Sequence, residues 1–330
     1  MRRHSRDRPL SEFDLIERFF RRCGATRPDV TLGIGDDAAL LAPPPGMELA
    51  ITTDTLVEGV HFVAGADPRS LGHKSLAVNL SDLAAMGAEP AWATLALTVP
   101  NADESWLREF AQGFCALASA QGVALVGGDT TRGPRSITVQ LAGFVPAGEA
   151  LRRDGATPGD LVCVSGELGA AGLALLAQQG LYVRLEALPA LRERLDRPQP
   201  RLALGRELRR LATSAIDISD GLGSDLGHIL TASGCGARIE VERVPMSETV
   251  AEYVRETGDW HLPLAAGDDY ELGFTIPERR QGELDALAVT AGVPVRWIGW
   301  IERAPGLRWI LADGSELDQP AGGYDHFREA

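Results

Sequence analysis

Short apolar runs alternate with amphipathic stretches along most of the chain, and this alternation predicts strands followed by helices. Residues 48–53 predict a short buried strand ending at Asp54. Residues 70–86 carry a helical pattern, with Ser70 as N-cap and Gly87 just past the end. Residues 91–99 are strand-like, 103–121 are helical, and 123–126 form a strand running into Gly127-Gly128-Asp129. Alternation over 136–145 predicts a further strand. The stretch PAGEALRRDGATPGD, 146–160, is dense in glycine, proline and charge. It reads as a boundary between domains 1–150 and 151–330. Beyond it, 161–165 predicts a strand, 167–179 a helix and 181–200 a charged helical excursion. Residues 215–219 predict a strand entering a glycine-rich turn, and 224–232 a helix. Strands and hairpins are expected from Val293, with Asp313-Gly314 as a turn. The pattern is that of a two-domain α/β (α+β) protein without a solenoid repeat.

Aspartates recur where apolar segments end beside glycine or small residues. They stand in Gly35-Asp36-Asp37, Thr52-Thr53-Asp54, Ser81-Asp82, Gly128-Asp129, Asp217-Ile218-Ser219-Asp220 and Gly267-Asp268-Asp269. Hard cations such as Mg²⁺ take carboxylate oxygens, one or two per ion beside phosphate and water. Carboxylates converging on one cavity repel unless cations lie between them. If the clusters meet, they predict a site of several Mg²⁺ ions that receives a polyphosphate. For a single Gly-Asp pair, ordinary turn and cap chemistry is the better explanation. Asp82 is harder to explain that way, because it interrupts an apolar helix and shares a face with Ser75 and Asn79. A solvated face remains the alternative. Asp217 and Asp220 likewise interrupt an apolar strand at its exit. The glycines would admit backbone N–H groups to an anion. His61 follows the Asp54 cluster in VEGVHF, where a structural role is the competing reading.

Charge narrows the function classes. The 330 residues carry a net charge of −14, which disfavours nucleic acid and anionic membranes as partners. Lys74 is the single lysine, so neither a phosphate-binding G-x-x-x-x-G-K-[ST] loop nor a protein-kinase VAIK strand is present. The start, MRRHSRDRPL, has no apolar stretch behind it, and the longest apolar run, 169–177, is too short to cross a bilayer. A cytoplasmic protein is expected. Cys23, Cys115, Cys163 and Cys235 form no CxxC pair, so neither a zinc site nor a disulfide framework is expected and the four read as core residues.

The acidic motifs also carry a family resemblance. GIGDDAAL (33–40), TTDTLVEGVHF (52–62), NLSDLAAMGAEP (79–90), GGDTTRG (127–133), DISDGL (217–222), GDDYEL (267–272) and GYDHF (323–327) follow one another in the order of the thiamine-monophosphate kinases, which the chain closely resembles. That family belongs with aminoimidazole ribonucleotide synthetase and selenophosphate synthetase. The resemblance implies two α/β domains of the aminoimidazole ribonucleotide synthetase-like fold, with N-terminal sheets pairing across a homodimer. It implies phosphorylation of thiamine monophosphate by ATP, as co-substrate, with Mg²⁺. It makes Asp36, Thr52, Thr53, Asp54, Asp82, Asp129, Asp217 and Asp220 metal ligands, of which Asp82, Asp129 and Asp220 serve catalysis. Gly128, Asp129, Arg153 and Ser219 become nucleotide contacts, and His61, Asp268 and Tyr324 thiamine-phosphate contacts. Related sequences often have Glu at position 268 and Trp at 324; both replacements keep the acidic or aromatic character.

The implied chemistry agrees with the residues. A phosphate monoester acceptor is already ionised near neutral pH and needs no strong base, so a missing His, Cys or Ser dyad is expected. A cationic thiazolium suits an acidic group and an aromatic face. Selenophosphate synthesis is disfavoured because Cys23 has no neighbouring lysine. Aminoimidazole ribonucleotide synthesis is disfavoured by VEGVHF and GDDYEL. A nucleotide- or metal-binding module without catalysis is the alternative of another class.

Overall fold

The computed structural model describes residues 11–182, 184 and 186–318. They divide into two compact units: residues up to Asn79 with Pro90–Phe144, and Leu80–Glu89 with Val145 onward. One division falls between Phe144 and Val145. The segment Leu80–Glu89, however, packs with the second unit.

The first unit holds strands β1 (Val30–Leu32) and β2 (Leu40–Leu41), which pair with each other. Its main sheet comprises β3 (Met47–Val57), β4 (Glu89–Val99), β5 (Ala124–Arg132) and β6 (Ser136–Pro146), in the order β3-β6-β4-β5. Helices α1 (Glu12–Leu15), α2 (Pro68–Ala85) and α3 (Glu104–Ala120) complete it, α2 running on into the Leu80–Glu89 segment. α3 starts where Asp103, the first residue of the expected helix, accepts from the Ser105 and Trp106 N–H groups. α2 starts earlier than expected: Asp67, not Ser70, is the acceptor, taking both the N–H and the hydroxyl of Ser70. Pro68 then occupies the first turn, where its missing N–H costs nothing. α2 and α3 touch through their backbones at Gly72 and Gly113. A Cβ on Gly113 would stand 1.9 Å from the Arg69 carbonyl oxygen, and one on Gly72 2.1 Å from that of Phe110.

Two strands outrun the sequence pattern. β3 continues past Asp54 to Val57, its Thr55 hydroxyl meeting that of Thr138 on β6 at 2.9 Å. β5 continues through Gly127-Gly128-Asp129 to Arg132 because, after a one-residue register shift between Ala93 and Thr94, it stays paired in parallel with β4 as far as Val99. The cysteine expectation needs correction. Cys23 and Cys115 form a disulfide that ties the N-terminal segment to α3, across 92 residues of sequence. No local spacing signals a pairing that only the fold creates. Closing a loop of this length stabilises by about 4–5 kcal/mol on the chain-entropy estimate. Reductant, or the double change Cys23→Ser and Cys115→Ser, is therefore expected to lower the melting temperature of the first unit by about 15 °C. An unchanged melting curve under reductant would show that the bond contributes nothing.

The second unit is built on a seven-stranded mixed sheet. Its strands are β7 (Asp160–Ser165), β8 (Ser214–Ile218), β9 (Gly236–Glu240), β10 (Glu271–Pro277), β11 (Val295–Glu302), β12 (Gly306–Ile310) and β13 (Glu316–Leu317), in the order β13-β12-β9-β11-β7-β10-β8. The helices are α4 (Ala170–Gln178), α5 (Leu188–Asp196), α6 (Leu202–Leu208), α7 (Leu222–Ser233), α8 (Glu248–Thr257), α9 (His261–Ala265) and α10 (Leu284–Ala291). α7 buries Leu222, Leu226, Ile229 and Leu230, one face at helical spacing, in a core with Val162, Val164, Ile216 and Ile218 of the sheet. It ends at left-handed Gly234. β10 runs antiparallel to both β7 and β8, with Glu271 opposite Ile218 and Gly273 opposite Val164. The exits of β7 and β8 and the entry of β10 therefore share one edge of the sheet. Among the described residues, no helix is long and apolar enough to cross a membrane.

Candidate active site

The predicted site residues fall in both units. In the first, Asp36 is exposed in the loop before β2, where its carboxylate accepts from the Asp37 N–H. Arg21, which sequence reading passed over, lays its guanidinium beside Gly35, 3.4 Å from where a Cβ would stand. Thr52, Thr53 and Asp54 lie on β3, an edge strand, with Asp129 on β5 at the opposite edge. Strand alternation puts Thr52 and Asp54 on one face and Thr53 on the other, beside exposed Ile51. Gly128 has a structural reason of its own. At φ 148° its backbone lies so close to β4 that a Cβ would stand 1.9 Å from the Leu95 oxygen. His61 uses Nδ1 to accept from the Val57 N–H, closing the turn after β3.

The second unit brings more of the motifs together. Asp217 lies near the end of β8, buried, and accepts from the Ser81 hydroxyl at 2.8 Å. NLSD and DISD are thereby joined, with Asp82 the next residue along. Between Leu71 and Ala85 only His73 and Asp82 escape burial, so a solvated face for this helix is excluded. The Ser219 and Asp220 N–H groups both donate to Asp225, each at 3.0 Å. Across from them the GDDY loop docks on the same turn. Asp268 N–H donates to the Ser219 carbonyl and Tyr270 N–H to the Ile218 carbonyl, both at 2.8 Å. Arg153 lies near enough to Asp225 for its charge to lower the pKa of that acid. Tyr324 lies outside the described residues.

Electrostatics separate the acids. Burial and the Asp220 charge push the Asp225 carboxyl up to about 7. Burial pushes Asp269 up to about 8, although the Gly169 N–H at the start of α4 donates to it. Glu271 is fully buried, and Arg201, Arg194 and the Ser165 hydroxyl donate to it at 2.6, 2.8 and 2.6 Å. Sequence reading missed Ser81, Asp225, Tyr270 and Glu271 as working residues. The available signals were their places inside NLSD, in the first turn after DISDG, and in GDDYEL.

The Asp269 shift has a measurable consequence. Its folded pKa lies above the unfolded value of 3.8, so the fold holds a proton that the unfolded chain has lost. The stability this gives is complete below about pH 4 and is lost as pH rises through about 8. Asp269→Asn does not titrate. Its melting temperature should therefore rise relative to wild type between pH 5 and pH 8. A difference constant with pH would refute the assignment.

The donor set consists of carboxylates and hydroxyls, hard oxygens that suit Mg²⁺. Among the described residues, no three His, Cys, Asp or Glu side chains form a metal-binding group.

Comparison with known proteins places this architecture. Residues 35–145 match the AIR synthase related protein N-terminal domain, and residues 157–307 the corresponding C-terminal domain. The class is thus the AIR synthase-related proteins. Thiamine-monophosphate kinase of Salmonella typhimurium (strain LT2) is 50% identical over 320 residues, covering 96% of this chain and 98% of that protein. The crystal structure of thiamine-monophosphate kinase from Stenotrophomonas maltophilia K279a superposes with a TM-score of 0.82 at 46% identity, covering 88% of this chain and 93% of that one. AaThiL, solved in complex with AMPPCP and TMP, superposes with a TM-score of 0.76 at 31% identity, covering 89% and 92%. The chain belongs to the thiamine-monophosphate kinase family of enzymes.

Proposed function

We propose that this chain transfers the γ-phosphoryl group of ATP to thiamine monophosphate, giving ADP and thiamine diphosphate in one in-line step. The observation that carries the reading is the meeting of NLSD, DISD and GDDY at one edge of the second unit's sheet, through Ser81–Asp217 and the backbone bonds to Ile218 and Ser219. A relative of the same fold was solved with AMPPCP and TMP.

Asp36, Thr52, Thr53, Asp54, Asp82, Asp129, Asp217 and Asp220 are the residues that would hold several Mg²⁺ ions. Bound there, Mg²⁺ would offset the charge of two phosphate-bearing substrates. Gly128, Asp129, Arg153 and Ser219 take the nucleotide; His61, Asp268 and Tyr324 take thiamine monophosphate. Ser81 fixes the orientation of Asp217, and Asp225 holds the Ser219–Asp220 backbone. No covalent enzyme intermediate is needed. Cys163 is buried and its thiol is pushed up by burial, as is that of Cys235, so neither supplies a thiolate.

The first unit supports a homodimer. β3 is an edge strand whose Met47, Leu49 and Ile51 are exposed on one face, an apolar surface that pairing with a second copy would cover. A reaction that consumes ATP fits the expected cytoplasmic location, where Cys23–Cys115 would meet a reducing thiol pool. The test is thiamine diphosphate formation from thiamine monophosphate, ATP and Mg²⁺, with ADP followed in parallel. Formation of ADP that does not depend on thiamine monophosphate, or none at all, would reject the reading. Inversion at a chiral γ-phosphorus is expected; retention would exclude a single step.

A further inference from the structure

The GDDY loop contains the two non-glycine residues of positive φ among those described, Asp268 at 68° and Tyr270 at 51°. An aspartate tolerates this region, but a tyrosine rarely enters it and pays about 1–2 kcal/mol. The surroundings hold it there. Its N–H donates to the Ile218 carbonyl, its neighbour Asp269 is tied to the Gly169 N–H, and its own side chain is 9% exposed. The ring is anchored in the core while the hydroxyl reaches back two residues to donate to Asp268 Oδ1 at 3.0 Å. Asp268 itself is half-buried, fixed by its backbone to Ser219. The two left-handed turns thus bring phenol and carboxylate together at the edge where the DISD turn ends. A glycine at 270 would relieve the backbone but leave no hydroxyl.

The nature of this donor matters. Glu271, the next acid in the motif, is held by two guanidinium groups. The Tyr270 hydroxyl is neutral; it orients the Asp268 carboxylate without adding positive charge beside it. That suits a carboxylate whose task is to face a cation.

We propose that Tyr270 is a positioning residue for substrate recognition: its hydroxyl holds the Asp268 carboxylate in the orientation that meets the thiazolium cation of thiamine monophosphate. This rests on the reading of Asp268 as a substrate contact.

Tyr270→Phe keeps the ring and removes only the hydroxyl. It should raise KM for thiamine monophosphate about tenfold, with KM for ATP within about twofold and kcat little changed. Placed on an Asp268→Asn background, Tyr270→Phe should add almost nothing, since it acts through that carboxylate. Equal shifts in both KM values, a full additive effect on the Asp268→Asn background, or an unchanged KM for thiamine monophosphate would each overturn the proposal. If the variant melts well below wild type, inhibition by thiamine, a cation without phosphate, is compared with inhibition by pyrophosphate. Weakened thiamine inhibition alone supports the role, and equal weakening overturns it. Wild-type enzyme without turnover of thiamine monophosphate would instead remove the underlying functional reading, and the proposal with it.

Discussion

Asp82→Asn is expected to lower kcat by about 10²–10³-fold while leaving the fold intact. Asp82 lies in the last turn of α2, a helix with no basic residue in that turn. The negative end of the helix dipole disfavours a carboxylate there, and aspartate is a poor helix former in any interior position. The residue is also one of two between Leu71 and Ala85 that burial spares. The proposed role of Asp82, next to the serine that holds Asp217, is to serve a cation and the phosphate it accompanies. Two outcomes follow and must appear together. In Mg²⁺-free buffer the Asn variant should melt close to wild type, because the substitution keeps the shape of the side chain and removes the charge at the helix end. With saturating Mg²⁺, ATP and thiamine monophosphate it should turn over poorly. Near-normal kcat would remove Asp82 from the reaction, and a large loss of stability would make its role structural.

What could be read from the chain depended on how local the cause was. α3 begins at its Asp103 cap because capping acts within three residues. The acidic motifs were legible because each is contiguous. Their partners were not. Ser81 meets Asp217 across 136 residues and Gly169 meets Asp269 across 100, so no window contains both members. β10 gave no alternating signal because both its faces are buried, a condition that erases the two-residue period. The stretch between α7 and β11 therefore stayed unread as structure, although GDDYEL within it was recognised as chemistry. Asp67 took the cap expected of Ser70 because the pattern marks a helix's apolar face more sharply than its first turn.

Glu271→Ala should cost about 3 kcal/mol, at the lower end for breaking a buried ion pair. Glu271 is fully buried, whereas the side chains of Arg194 and Arg201 are 30% and 18% exposed. Water can therefore recover part of what the two guanidinium groups lose. The second unit should melt about 6–12 °C lower. Glu271→Gln should cost less, since the amide oxygen can still accept from one arginine or from Ser165. The origin of the loss is separable. If it comes from stranded positive charge, then replacing all three charged residues by Leu or Met should restore much of the stability, because the desolvation cost disappears with the charges. If it comes from a disturbed β10 entry, the triple variant should be no better than Glu271→Ala. Melting curves of the three variants decide between these causes. Glu271 adjoins Tyr270, so the same set measured for KM shows whether the ion network also holds the GDDY loop: a triple variant restored in stability but with a raised KM for thiamine monophosphate would mean that it does.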